Sequence, residues 1–88
     1  MAKKKRTYEI RLPSSLNISG YEGILKKGIS QAYSKRQAVS QFISRSNPGL
    51  TGLVMHRLDE VFGNAGKLAR DLSDFEIEMP YLYQTLED

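Results

Sequence analysis

The sequence contains no cysteine and no tryptophan, and only one histidine and three prolines in 88 residues. Without cysteine there is no disulfide framework, no thiolate nucleophile and no thiolate metal site. The single histidine, His56, falls among the polar positions of an amphipathic stretch, and no second His or Cys stands at metal-ligand spacing. Neither a zinc site nor a histidine-activated serine is therefore expected. Asp59 and Glu60 are neighbours that diverge on a helix, so they do not make a carboxylate pair for acid–base chemistry. Gly23-Ile24-Leu25-Lys26-Lys27-Gly28 has the glycine spacing of a phosphate-binding loop, but Ile29-Ser30 follows where lysine and then serine or threonine are required. No cofactor is expected, and the chain reads as a binding protein, not an enzyme.

Long apolar runs are missing too. Nothing approaches the ~20 residues of a membrane span, and the basic start leads into an alternating stretch unlike a signal peptide. A cytoplasmic protein with no membrane partner is expected, which makes the Asn17-Ile18-Ser19 sequon fortuitous. A chain this short buries only about 60% of its unfolded surface, so one domain with a marginal core is expected, and a homodimer would supply what the core lacks.

What the sequence does have is charge, unevenly placed. The net charge is only +3, but residues 1–45 hold ten lysines and arginines against Glu9 and Glu22, a balance of +8. Residues 46–88 hold Arg57, Lys67 and Arg70 against eight acids, a balance of −5. Such asymmetry points to a basic binding surface and an acidic tail.

Hydrophobic periodicity divides the chain. Residues 1–6 read as a flexible basic arm, since nothing apolar anchors them. In residues 7–12, Tyr8, Ile10 and Leu12 alternate with Thr7, Glu9 and Arg11, the pattern of a half-buried strand stopped by Pro13. Residues 14–23, rich in Ser, Asn and Gly, read as a loop with at most one helical turn. Ile24, Leu25, Ile29, Ala32 and Tyr33 fit one face of a helix over 22–33, with Gly28 a weakness of about 1 kcal/mol in its middle. Ser34 and Gln37 form a capping box opening a helix over 35–45 that buries Ala38, Val39, Phe42 and Ile43; a single helix over 22–45 is the alternative.

Asn47-Pro48 restarts the chain as N-cap and first helical residue. Leu50, Leu53, Val54, Leu58, Val61 and Phe62 then predict an amphipathic helix, closed by Gly63-Asn64. A short last helix is expected over 65–73. In residues 74–83, Phe75, Ile77, Met79, Tyr81 and Tyr83 alternate with Asp74, Glu76, Glu78, Pro80 and Leu82, which fits an edge strand or an extended peptide. The fold class is α+β: a small, mostly helical single domain over 7–73 with an N-terminal strand, two or three helices and, over 74–88, an acidic aromatic tail or edge strand.

The basic residues carry the functional reading. Lys3, Lys4, Lys5 and Arg6 can track phosphates as an arm, and Arg11, Lys26, Lys27, Lys35, Arg36 and Arg45 extend the footprint if they share a face. Thr7-Tyr8-Glu9-Ile10-Arg11-Leu12-Pro13, a helical stretch, and Ser34 through Ile43 together resemble the ribbon-helix-helix family of DNA-binding repressors, over about residues 6–45. The resemblance implies a homodimer whose paired strands enter the DNA major groove. It places Thr7, Glu9 and Arg11 toward the bases, and Ser34 and Lys35 at a helix N-terminus against phosphate. The leading expectation is a non-enzymatic nucleic-acid-binding protein, a dimeric DNA-binding regulator, with DNA favoured over RNA. The alternative is a small protein-binding adaptor, inhibitor or accessory subunit acting through Phe75, Ile77, Met79, Tyr81 and Tyr83 by strand addition.

Overall fold

A computed structural model describes residues 4–72, so Lys3 and the expectations placed on residues 73–88 lie outside the described residues. The first strand, β1 (Arg6–Arg11), forms where the alternation requires it: Tyr8 and Ile10 are buried, and Arg6 and Arg11 are exposed. Leu12 continues the buried set, and Pro13 ends the strand. The chain then loops through Ile18 and a 3-10 turn, Tyr21–Gly23, whose entry Gly20 has φ 89°, a left-handed conformation that glycine adopts without strain. The buried ring of Tyr21 holds the loop down, its hydroxyl donating to the Pro13 carbonyl at 2.5 Å. Burial pushes the Tyr21 phenol up to about 12.

The helix expected over 22–33 is not there. The chain instead forms β2 (Lys27–Ala32), antiparallel to β1, with Thr7 opposite Gln31, Glu9 opposite Ile29 and Arg11 opposite Lys27. The apolar positions of this stretch follow a period of 3.6 and not a strand's period of 2, so its state is decided by what it pairs with and packs on. Ser30 and Ala32 turn inward and are buried, while Ile29 and Tyr33 turn outward, each 48% exposed. Gly28 faces the inner layer directly under the Phe42 ring: a Cβ there would lie 2.5 Å from Cε1. The glycine that weakened a helix is what permits a strand to run beneath an aromatic ring.

The expected boundaries from Ser34 to Gly63 hold. Ser34 caps α1 (Lys35–Ser46), its hydroxyl accepting from the Gln37 amide, and Ala38, Val39, Phe42 and Ile43 are the buried face. The Gln37 side chain reaches back to the Tyr33 amide at 2.7 Å, one residue earlier than the capping box predicts. Asn47 accepts from the Gly49 amide and opens a 3-10 turn, Pro48–Leu50, that runs into α2 (Thr51–Phe62). Gly63, at φ 85°, ends α2 with its N–H on the Asp59 carbonyl.

Two further expectations need correction. The buried residues of α2 are Val54, Met55 and Leu58, whereas Leu53 and Val61 are 52% and 58% exposed. This helix packs chiefly on α1 and on the 3-10 turn after it, so only a narrow stripe is covered. The last helix is only that 3-10 turn, Ala65–Leu68, followed by β3 (Ala69–Asp71). β3 pairs antiparallel with β1, giving sheet order β2-β1-β3.

The fold is thus α+β, with α1 across the inner face of a three-stranded antiparallel sheet and α2 packed on α1. The core joins Tyr8 and Ile10 to Val39, Phe42 and Ile43, and extends to Leu58 and Ala65. Both edges of β1 are occupied within the chain. The Leu12 amide donates to the Lys26 carbonyl at 2.7 Å, a register in which Ile29 directs its own peptide groups to the free edge of β2. Arg45 donates to the Ile29 carbonyl at 2.7 Å, and the Ser46 hydroxyl accepts from the Leu25 amide at 3.1 Å. The end of α1 thereby covers part of an edge that would otherwise invite another strand.

Candidate nucleic-acid interface

Strand alternation sends one set of side chains away from the helices. Thr7, Glu9 and Arg11 of β1, Lys27, Ile29 and Gln31 of β2, and Arg70 of β3 share this outer face. No helix covers it among the described residues. Lys5, next in the same alternation, has its Nζ 5.8 Å from the centre of the Tyr33 ring.

The cations gather at one end of this face, around Arg11. Its side chain is 65% exposed, with Nε 3.3 Å from Glu9. On one side of Arg11 a shallow depression of about 420 Å³ is lined by Leu12, Ser14, Glu22, Lys26 and Lys27. On the other, one of about 250 Å³ is lined by Glu9, Lys67, Leu68, Ala69 and Arg70. Arg11 belongs to both. Five cations from three separate stretches of chain therefore surround one end of the sheet, against Glu9 and Glu22.

The structure sorts the residues that the sequence nominated. Arg11 and Lys27 reach the outer face, Lys5 stands at its other end, and Thr7 lies between. Lys4 is exposed on the arm, and Lys35 on the first turn of α1. Lys26 lines the first depression, but its ammonium is held by the carbonyls of Tyr21 and Ile24 and lies 4.4 Å from the centre of the Tyr21 ring. Arg6 turns to the helix side and pairs with Asp71 at 3.1 Å. Arg45 is occupied by the β2 edge, and the Ser34 hydroxyl by its cap.

Arg36 is the clearest removal from the expected footprint. Its guanidinium forms two parallel hydrogen bonds with Asp59, at 2.6 and 2.7 Å, and the same carboxylate accepts from the Ala65 amide at 2.8 Å. One side chain of α2 thus ties the first turn of α1 to the turn that launches β3. The Arg36 hydrogen bonds first, and then the Ala65 amide, hold the Asp59 carboxyl down at about 2. A carboxyl that titrates lower folded than unfolded stabilises the fold above its unfolded value of about 4, and this contribution disappears as the pH falls through 2. A carbon-detected NMR titration should place the Asp59 midpoint near 2. The unfolding free energy should decline between about pH 4 and pH 2, and Arg36→Gln should flatten that decline. An Asp59 midpoint in the ordinary carboxylate range would show that the bidentate pair does not persist in solution.

Sequence reasoning missed Lys67 and Arg70. They lie in the half with negative balance, and the only available signal was that they are basic residues beside a short apolar run. Pairing of β3 with β1, across some sixty residues of chain, brings them to Arg11.

Among the described residues no three His, Cys, Asp or Glu side chains gather as a metal site, and no helix is long and apolar enough to cross a membrane. No protein-family model, curated protein or solved structure matches this chain.

Proposed function

We propose that this is a non-enzymatic nucleic-acid-binding protein whose interface is the outer face of the sheet. The observation that supports it best is the convergence of Arg11, Lys26, Lys27, Lys67 and Arg70 on two adjoining depressions at one end of that face. Such a cluster matches the spaced negative charge of a phosphate backbone, and its binding energy comes largely from released counterions. Thr7 and Gln31 add neutral donors and acceptors, while Ile29 and Tyr33 offer apolar surface for bases or sugars. In this reading β1 meets nucleic acid as the middle of a three-stranded sheet, with the basic arm beside it. Duplex DNA is the first target to try, and the regulator acts as a homodimer; because both edges of β1 are taken within the chain, that dimer forms through a surface other than the paired β1 strands that the ribbon-helix-helix resemblance implies.

Fluorescence anisotropy with duplex DNA, single-stranded DNA and RNA across a salt series tests the proposal. With four to six phosphate contacts, the logarithm of the affinity should fall with the logarithm of salt at a slope of about −3.5 to −5.5. No binding to any of the three at 50 mM salt would refute it. Sedimentation equilibrium gives the solution mass; a monomer would remove the homodimer and leave the interface to be judged on binding alone.

A further inference from the structure

All thirteen lysines and arginines precede residue 73. Residues 1–72 carry them against five acids, a balance of +8. The sixteen residues 73–88 carry Asp74, Glu76, Glu78, Glu87 and Asp88 with no cation, a balance of −5. That segment therefore holds half of the acids of the chain. Its residues Phe75, Ile77, Met79, Tyr81 and Tyr83 alternate with Asp74, Glu76, Glu78, Pro80 and Leu82, three of which are acidic. The outer face of the sheet has the complementary composition: Ile29 and Tyr33, both half exposed, among Lys5, Arg11 and Lys27.

We propose that residues 73–88 dock on the outer face of the sheet as an acidic intramolecular cover that competes with nucleic acid for the Arg11 end, a role that rests on reading this face as the nucleic-acid interface. Position favours it. The described chain ends at Leu72, one residue past β3, so the segment starts at the rim of the face it would cover. Sixteen extended residues reach about 50 Å, and three strands at ~4.8 Å spacing are only about 10–15 Å wide. A tether of this kind presents the acids at an effective concentration in the millimolar range, enough for a weak contact to be well populated. Both the cover and nucleic acid depend on the same cations, so salt weakens both.

The experiment uses the full chain. Because the sequence has no cysteine, Thr85→Cys provides a unique site for a nitroxide label. At low salt the amide signals of Thr7, Arg11, Lys27 and Ile29 should be broadened by the label, while those of Arg57 and Glu60 on α2 should not. The broadening should vanish at about 0.5 M salt, where the Debye length is ~4 Å. It should also vanish on adding duplex DNA, and in a variant combining D74N, E76Q, E78Q, E87Q and D88N. That neutralised variant should bind DNA on the order of tenfold more tightly at 50 mM salt, with the advantage shrinking as salt rises. Tighter binding alone would not support the cover, because adding net positive charge has that effect anyway; the broadening must accompany it. Absence of broadening on the outer face, or broadening centred on α2, overturns the inference and leaves the interface standing. Salt-sensitive broadening in a protein that binds no nucleic acid would instead retain the cover and overturn the function it rests on.

Discussion

Gly28→Ala should destabilise the protein by about 1–3 kcal/mol, the usual cost of forcing an extra methyl group into a packed core. The added Cβ would lie 2.5 Å from Cε1 of Phe42 and 3.0 Å from Cζ, distances at which something must move. The obstacle is not a flexible chain end. Phe42 is 3% exposed and sits in the shared core with Ile10, Val39 and Ile43, so either its ring or the β2 backbone must give way. A domain of this size has about 4–13 kcal/mol of stability in total, so the substitution removes a substantial part of it. The midpoint of thermal unfolding should fall by roughly 4–8 °C per kcal/mol lost. Combining it with Phe42→Leu should cost less than the two single losses together, because a smaller side chain relieves the clash. The sign is diagnostic. In a helix over 22–33 the same substitution would stabilise by about 1 kcal/mol, since alanine is the better helix former. A rise in the unfolding midpoint would therefore refute the strand at this position.

Reversing charge at the junction of the two depressions should have the largest effect on binding. Arg11 lines both, and its exposed side chain pairs with Glu9. Surface pairs of this kind contribute little to stability, so Arg11→Glu should fold normally by circular dichroism. Lys27, opposite Arg11 in the register, lines the first depression. Each single reversal should weaken nucleic-acid binding by on the order of tenfold at 0.1 M salt and make the salt slope shallower by about 1. The double variant should approach the product of the two losses. Arg57→Glu is the control: α2 lies behind α1, away from the sheet, and binding should not change. Equal losses from Arg57→Glu and Arg11→Glu would mean that net charge alone governs binding and that the outer face is no interface.

These two experiments fall on opposite sides of what could be read from the chain. The Arg11 strand, the Ser34 cap, the four buried residues of α1 and the restart at Asn47-Pro48 are all legible, because each depends on residues within one or two turns of one another. The α+β class follows from them. The stretch around Gly28 misleads because its apolar residues fit a helical face, whereas the strand it forms buries Ser30 and Ala32 and leaves Ile29 outside. Its state is settled by the long-range pairing of Lys27–Ala32 with β1 and by the ring of Phe42 lying over it.

The candidate site divides in the same way. That the cations precede residue 73 and the acidic aromatic segment follows them is plain from the chain alone, since this is a matter of composition. That Arg11 alternates away from the buried residues of its strand is equally plain, since this is a matter of period. Which cations gather at the Arg11 end follows from the tertiary structure alone. Arg36 went to Asp59, Arg6 to Asp71 and Arg45 to the edge of β2, while Lys67 and Arg70 came to Arg11 through β3. The reason is physical: a strand's alternation assigns a side chain to a face, but only the pairing of distant strands determines which charges meet on it.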